Sequence, residues 1–137
     1  MALTHLVDTS AITRLSQPAV RAVLEPLAMA GRVGRACISD LEVGFSARSA
    51  SEWDSLHRAL SAFQPVETEA RHVQRALQVQ RLLAARSQRG RKVPGLLVAA
   101  AAEEAGLTVL HYDADFDRIA AVTGQACEWV VPSGSSA

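Results

Sequence analysis

The sequence predicts an α/β fold in which a short parallel sheet is sandwiched between helices. Three observations carry this. Short apolar runs recur along the chain, and each is separated from the next by a helical pattern; such alternation implies parallel strands joined by right-handed crossovers. Several of these runs end directly in acids: Asp8, then Asp40 and Glu42, then Asp113. Finally, 137 residues with 49% hydrophobic and 20% charged content suffice for one domain that buries a core without disulfide or metal staples.

In chain order, Leu3 to Val7 is a strand ending at Asp8. Thr9 and Ser10 offer helix-capping hydroxyls, and a helix from Ala11 to Leu15 breaks before Pro18. Pro18 opens a second helix with Val20, Val23, Leu24, Leu27 and Ala28 on one face and a kink expected at Pro26; Gly31 closes it. Arg35 to Ile38 reads as the second strand. Ser51 to Phe63 is a helix that turns Trp53, Leu56, Leu60 and Phe63 to one side. Gln64 to Glu67 is a brief strand, placed at an edge by Pro65.

Thr68 to about Arg89 is the longest helical pattern, with Val73, Leu77, Gln80, Leu83 and Ala84 expected inward. A polar loop over Ser87 to Lys92 precedes Val93-Pro94-Gly95, which opens a nearly apolar and therefore buried helix closed by Gly106 in a left-handed cap. The strand after Leu107 runs into Asp113, Asp115 and Asp117. A helix to about Val122 and a last strand from Cys127 to Val131 complete a domain over residues 1–132, and residues 133–137 read as an unordered tail.

No apolar run is both long and charge-free enough to span a bilayer, and no export signal is recognisable, so the expected location is cytoplasmic. Cys37 and Cys127 lie in apolar contexts and read as buried thiols of a reducing compartment. Net charge is zero, yet Ala70 to Ala102 holds no acid while carrying Arg71, Arg75, Arg81, Arg86, Arg89, Arg91 and Lys92. That stretch is either a solvated helix face or a source of phosphate contacts, which need clustered positive charge rather than a basic protein.

In a parallel sheet the C-terminal strand ends share one edge, so Asp8, the Asp40/Glu42 pair and Asp113 should converge there. Each acid has a structural alternative. Ser39-x-x-Glu42 fits a capping box, Asp8 can cap the first helix, Asp113 or Asp115 can cap a later one, and Asp117 suits a first helical turn. Caps have no need to converge, whereas a hard divalent cation requires several oxygens in one place. Packed carboxylates repel one another; Mg²⁺ or Mn²⁺ relieves this and, beside a basic segment, suggests phosphodiester hydrolysis. Ser10 is positioned to touch a metal-bound water. The sequence has no GxxxxGK loop, GxGxxG fingerprint or GxSxG elbow, and its four histidines lack zinc-type spacing. A phosphatase or phosphoryl-acceptor domain, prompted by Asp113-x-Asp115, would need its acceptor aspartate after an early strand and a well-placed lysine, and Lys92 is the only lysine.

The phrases Leu6-Val-Asp8-Thr-Ser10-Ala, Ile38-Ser-Asp-Leu-Glu42, Val93-Pro-Gly95-Leu-Leu-Val-Ala-Ala and Leu110-His-Tyr-Asp113-Ala-Asp115-Phe-Asp117-Arg-Ile resemble the PIN domain, most closely the VapC toxins of bacterial type II toxin–antitoxin systems. The resemblance covers nearly the whole chain. It implies a PIN-like α/β/α fold and a Mg²⁺- or Mn²⁺-dependent endoribonuclease acting on tRNA or rRNA. It also implies a homodimer neutralised by a VapB antitoxin. Asp8, Glu42 and Asp113 then match metal-ligating catalytic acids, with Asp115 and Asp117 in support. The remaining acid should follow Val93-Pro94, where this chain has Gly95. That departure implies a weakened or silenced toxin, by selection, by engineering or by drift. It also leaves open a non-catalytic module that binds antitoxin or RNA on the same fold.

Overall fold

The structure, a computed structural model, describes residues 2–88 and 92–136. Five parallel strands form one sheet in the order β3-β2-β1-β4-β5: β1 His5–Val7, β2 Val33–Ala36, β3 Gln64–Val66, β4 Thr108–His111 and β5 Cys127–Trp129. The chain moves outward from β1 through α1 (Thr9–Ile12), α2 (Pro18–Met29), β2, α3 (Cys37–Phe45) and α4 (Ala50–Leu60) to β3. It then returns through α5 (Ala70–Ala85) and α6 (Val93–Ala105) to β4, and ends through α7 (Asp115–Thr123) at β5. The direction of winding reverses between β1 and β4. At such a switch point the connections leave on opposite sides and open a crevice beyond the strand ends.

β1 is the centre of the sheet. His5 pairs with both Val33 and Thr108, and Val7 with Leu110. The alternation of side chains along a strand then divides the core. Leu6, Ala36 and Val109 face α5, α6 and α7, packing with Val79, Leu83, Ala99, Phe116 and Ile119. Val7, Val33 and Leu110 face the other layer, with Ala11, Val20, Leu24, Val43, Leu60 and Phe63. Both faces are covered, which is the expected sandwich.

Several boundaries differ from expectation, each for a local reason. The second strand is Val33–Ala36, so Cys37 and Ile38 already belong to α3. Gly34 belongs inside this strand because a Cβ there would meet the Gln64 carbonyl and Leu3 Cδ1, each at 2.9 Å. Ser39 is consequently inside α3, whose N-cap is Ala36, and no capping box forms with Glu42. Helix α4 stops at Leu60, and Phe63 is buried from the turn beyond it.

Helix α5 spans Ala70–Ala85 and buries His72, Ala76, Val79 and Leu83, while Val73 and Leu77 are 46% and 59% exposed. Its inward face is rotated from the expected one because the alanine-rich α6 accepts small side chains at close approach. Gly31 and Gly106 do adopt the left-handed conformation, at φ 68° and 69°.

The segment expected as an unordered tail is fastened as far as residue 136. Ser136 N–H donates to Tyr112 Oη at 2.9 Å, Arg14 Nε donates to Ser136 Oγ at 3.1 Å, and that hydroxyl donates to Gln17 Oε1 at 2.6 Å. Cys37 and Cys127 are unpaired and half-buried, and burial pushes the Cys127 thiol up to about 12. Among the described residues no helix is long and apolar enough to cross a membrane.

Candidate active site

The crevice at the β1/β4 switch point is an open cavity of about 430 Å³ whose lining includes Asp8, Glu42, Lys92, Gly95, Asp113 and Asp115. Asp8 arrives from the end of β1. It is 6% exposed and caps α1, its Oδ2 accepting from Ser10 N–H at 3.0 Å and from Ser10 Oγ at 2.6 Å. Burial raises its pKa; the Ser10 hydrogen bonds oppose that rise and the charge of Asp113 adds to it. Capping and convergence are thus both true of Asp8.

Ser10 also joins two strand ends. Its hydroxyl also accepts from Tyr112 N–H at 2.8 Å, tying the end of β1 to the end of β4. Glu42 projects from the second turn of α3, and its Oε1 accepts from Thr9 Oγ at 2.9 Å. Its pKa is also raised, by burial first and then by the charges of Asp8 and Asp113. Glu42 therefore experiences the charges of both Asp8 and Asp113, and Asp8 that of Asp113, as expected of acids gathered at one edge.

Asp113 follows β4. Its Oδ1 accepts from Asp115 N–H at 2.9 Å, fixing the start of α7, and its own N–H donates to His111 Nδ1 at 3.2 Å. His111 is fully buried, stacked on Phe116 at 4.8 Å, and burial pulls its pKa down to about 4. It is a neutral ring that orients the Asp113 backbone. Lys92 Nζ lies 3.3 Å from Asp113 Oδ2. Asp115 lines the cavity and accepts from Arg118 Nη1 at 3.4 Å. Asp117 does not join them: its carboxylate accepts from Trp129 Nε1 at 3.1 Å, away from the cavity lining.

Gly95 lines the cavity in the first turn of α6. A Cβ added there would meet only Phe116 Cζ, at an ordinary 3.7 Å, so neither space nor backbone conformation demands glycine. Of the basic residues singled out for phosphate contact, Lys92 lines the cavity and Arg86 does not; Arg89 and Arg91 lie outside the described residues. Arg71 and Arg75 pair with Glu104 and Glu103 of α6. Sequence reasoning missed Arg14, which lines the cavity with its guanidinium carbon 4.3 Å from the Tyr112 ring centroid and donates to the Ser10 carbonyl at 2.7 Å. Only its position four residues beyond Ser10, one helical turn, signals this.

Among the described residues, Glu69, His72 and Glu104 are the group whose ligand atoms all lie within 4.8 Å of one another, a spacing that Asp8, Glu42 and Asp113 do not meet. Sequence spacing gave no sign of it. His72 Nδ1 already accepts from Glu69 N–H at 3.0 Å, which leaves the proton on Nε2 to donate to Glu104 at 3.1 Å. Arg71 bridges Glu69 and Glu104 and holds the Glu104 carboxyl down at about 2. This cluster fastens the start of α5 to the end of α6.

A reversed parallel sheet with acids gathered at its switch point defines the class: the chain belongs to the PIN domain family, which matches residues 5–122. Ribonuclease VapC51 of Mycobacterium tuberculosis is 67% identical over 135 residues, covering 98% of each chain. Ribonuclease VapC21 of the same species is 43% identical over 142 residues, covering 99% of this chain and 100% of that one. Among solved structures, the DNA-bound VapBC of Salmonella typhimurium shares the fold with a TM-score of 0.78 at 17% identity, over 94% of this chain and 99% of that one. Within the PIN family the chain falls with the VapC-type toxins.

Proposed function

We propose that this chain is a Mg²⁺- or Mn²⁺-dependent endoribonuclease toxin that cleaves structured RNA such as tRNA or rRNA, works as a homodimer and is neutralised by a VapB antitoxin, with activity weakened by Gly95. One observation carries the catalytic part. Asp8, Glu42 and Asp113 come from three separate elements to one polar cavity, and burial and mutual repulsion raise the pKa values of Asp8 and Glu42. The donor set fits a hard divalent ion, because every candidate ligand is oxygen and the buried Asp8 has hydrogen bonds from Ser10 and Thr9 but no ion-paired cation among the described residues.

Asp8, Glu42 and Asp113 are the residues that would hold the ion. When bound, such an ion polarises a phosphoryl oxygen and makes water acidic enough to attack at neutral pH. The chain's own groups do the rest. Thr9 and Ser10 fix the Glu42 and Asp8 carboxylates in one orientation, and His111 fixes the backbone of Asp113. Arg14 and Lys92 at the rim supply positive charge for the RNA backbone. The names of the relatives support RNA as substrate, and the VapBC complexes among the structural neighbours support an antitoxin partner.

A second reading, a non-catalytic module that binds antitoxin or RNA, is favoured by Gly95 alone. Incubating purified protein and its Gly95→Asp variant with tRNA and rRNA, with and without Mn²⁺, separates the two. Metal-dependent cleavage by the variant, and weaker cleavage by the parent, supports the enzyme. No cleavage by either supports the module.

A further inference from the structure

We propose that Lys92 is a tethered counter-ion of the acid cluster: its ammonium holds Asp113 in the metal-free protein and must be displaced for a divalent ion to bind, so it sets the metal affinity of the site. The inference rests on the acids being the metal site.

Two cations among the described residues line the cavity, and their environments differ. Arg14 is committed to the Ser10 carbonyl, the Ser136 hydroxyl and the face of Tyr112. Lys92 faces the acids. Its Nζ is 3.3 Å from Asp113 Oδ2, and its charge is felt at Glu42. Its position is fixed by the fold, because Lys92 is the N-cap of α6 and its backbone N–H points to Asp115 Oδ2 at 3.5 Å. The stem is anchored while the head is open: the side chain is 72% exposed, and among the described residues its ammonium bonds one carboxylate oxygen, Asp113 Oδ2.

The residue type matters. Lys92 is the only lysine in a chain whose other basic residues are arginines. A guanidinium would grip Asp113 through two parallel hydrogen bonds, whereas an ammonium is a hydrated point charge on a flexible stem. It neutralises a carboxylate and lets go readily. Gly95 sits one turn along the same helix and lines the same cavity. Glycine there adds no negative charge where the family resemblance implies an acid, which tilts the competition toward the ammonium.

Mn²⁺ affinity measured by calorimetry on the parent chain, Lys92→Met and Lys92→Arg, each with Gly95 and with Gly95→Asp, tests this. Lys92→Met should bind Mn²⁺ about tenfold more tightly than its parent, the scale of one screened unit charge. Lys92→Arg should bind no more tightly than its parent. A second readout uses the single lysine: reductive ¹³C-methylation, which keeps its charge, labels Lys92 and the N-terminal amine. In the Gly95→Asp protein, Mg²⁺ titration should shift the Lys92 methyl resonance saturably. Equal or weaker Mn²⁺ binding by Lys92→Met, or an unmoved resonance while calorimetry registers binding, overturns the counter-ion role. Absence of binding in all six proteins overturns the metal site itself, and the inference with it.

Discussion

Placing a carboxylate at position 95 is the sharpest test of the site. In Gly95→Asp the new Cβ has one neighbour, Phe116 Cζ at 3.7 Å, so no repacking is needed. Glycine and aspartate differ by about 0.3 kcal/mol in helix propensity, and an acid in a first turn gains about 0.3–1 kcal/mol from the macrodipole. Against these stands repulsion from Asp8, Glu42, Asp113 and Asp115 around the same cavity. The metal-free variant should therefore lie within about 1 kcal/mol of its parent, since these opposing effects are of similar size. With Mn²⁺ the balance changes. A charged oxygen ligand contributing about 2–3 kcal/mol tightens binding about 30- to 150-fold. Saturating Mn²⁺ should then raise the melting temperature of Gly95→Asp more than that of the parent, and cleavage of tRNA should rise with it. Gly95→Asn, similar in shape but uncharged, should do neither. Equal Mn²⁺ affinity and equal cleavage for glycine and aspartate would refute the argument that position 95 completes the cluster.

Three further outcomes follow from the same geometry. Ser10→Ala strips hydrogen bonds from both Asp8 and the Tyr112 N–H, and urea denaturation should register a loss of about 1–3 kcal/mol. Asp8→Asn removes a carboxylate whose folded pKa is raised, a group that reduces stability as pH climbs above its ordinary 3.8. The metal-free variant should melt higher than its parent at pH 7.5, equal it near pH 3.5, and lose Mn²⁺ binding. Glu104 is held at about 2 from an ordinary 4.5, chiefly by Arg71 and then His72. Its contribution is complete above pH 4.5 and disappears as pH falls toward 2, so Glu104→Gln should be less stable than the parent at neutral pH and converge with it in acid; a constant offset in melting temperature would contradict this.

Which features the sequence could reveal depended on whether the signal was local. The place of Asp8 and Asp113 in the crevice was readable because each lies just past an apolar strand, and a parallel sheet sends such strand ends to one edge. Glu42 was readable by its spacing but for the wrong local reason. It was expected at a strand end or in a capping box, yet it projects from the second turn of α3, because the strand stops at Ala36. The inward face of α5 was misjudged since Val73 and Leu77 outrank Ala76 in hydrophobicity; closeness of approach to α6 decides that packing, and no single helix encodes it. Arg14, the fastened Ser136 and the displacement of Asp117 toward Trp129 all depend on partners far away in the chain. Periodicity cannot register such contacts.

The structure also shows that capping a helix and facing the cavity are compatible. Asp8 caps α1 through Oδ2, which accepts from both the backbone and the hydroxyl of Ser10. The hydrogen bonds that satisfy the helix start also orient the carboxylate. Asp113 repeats the device: Oδ1 fastens the start of α7 through Asp115 N–H, while Oδ2 meets the Lys92 ammonium. In both cases one oxygen belongs to the fold and the other is left to the cavity. Each acid is thus oriented by local backbone geometry, and Asp113 has the Lys92 ammonium as an opposite charge besides. This explains how the cluster keeps its shape while its carboxylates repel one another: the hydrogen bonds that start α1 and α7 hold Asp8 and Asp113 in place.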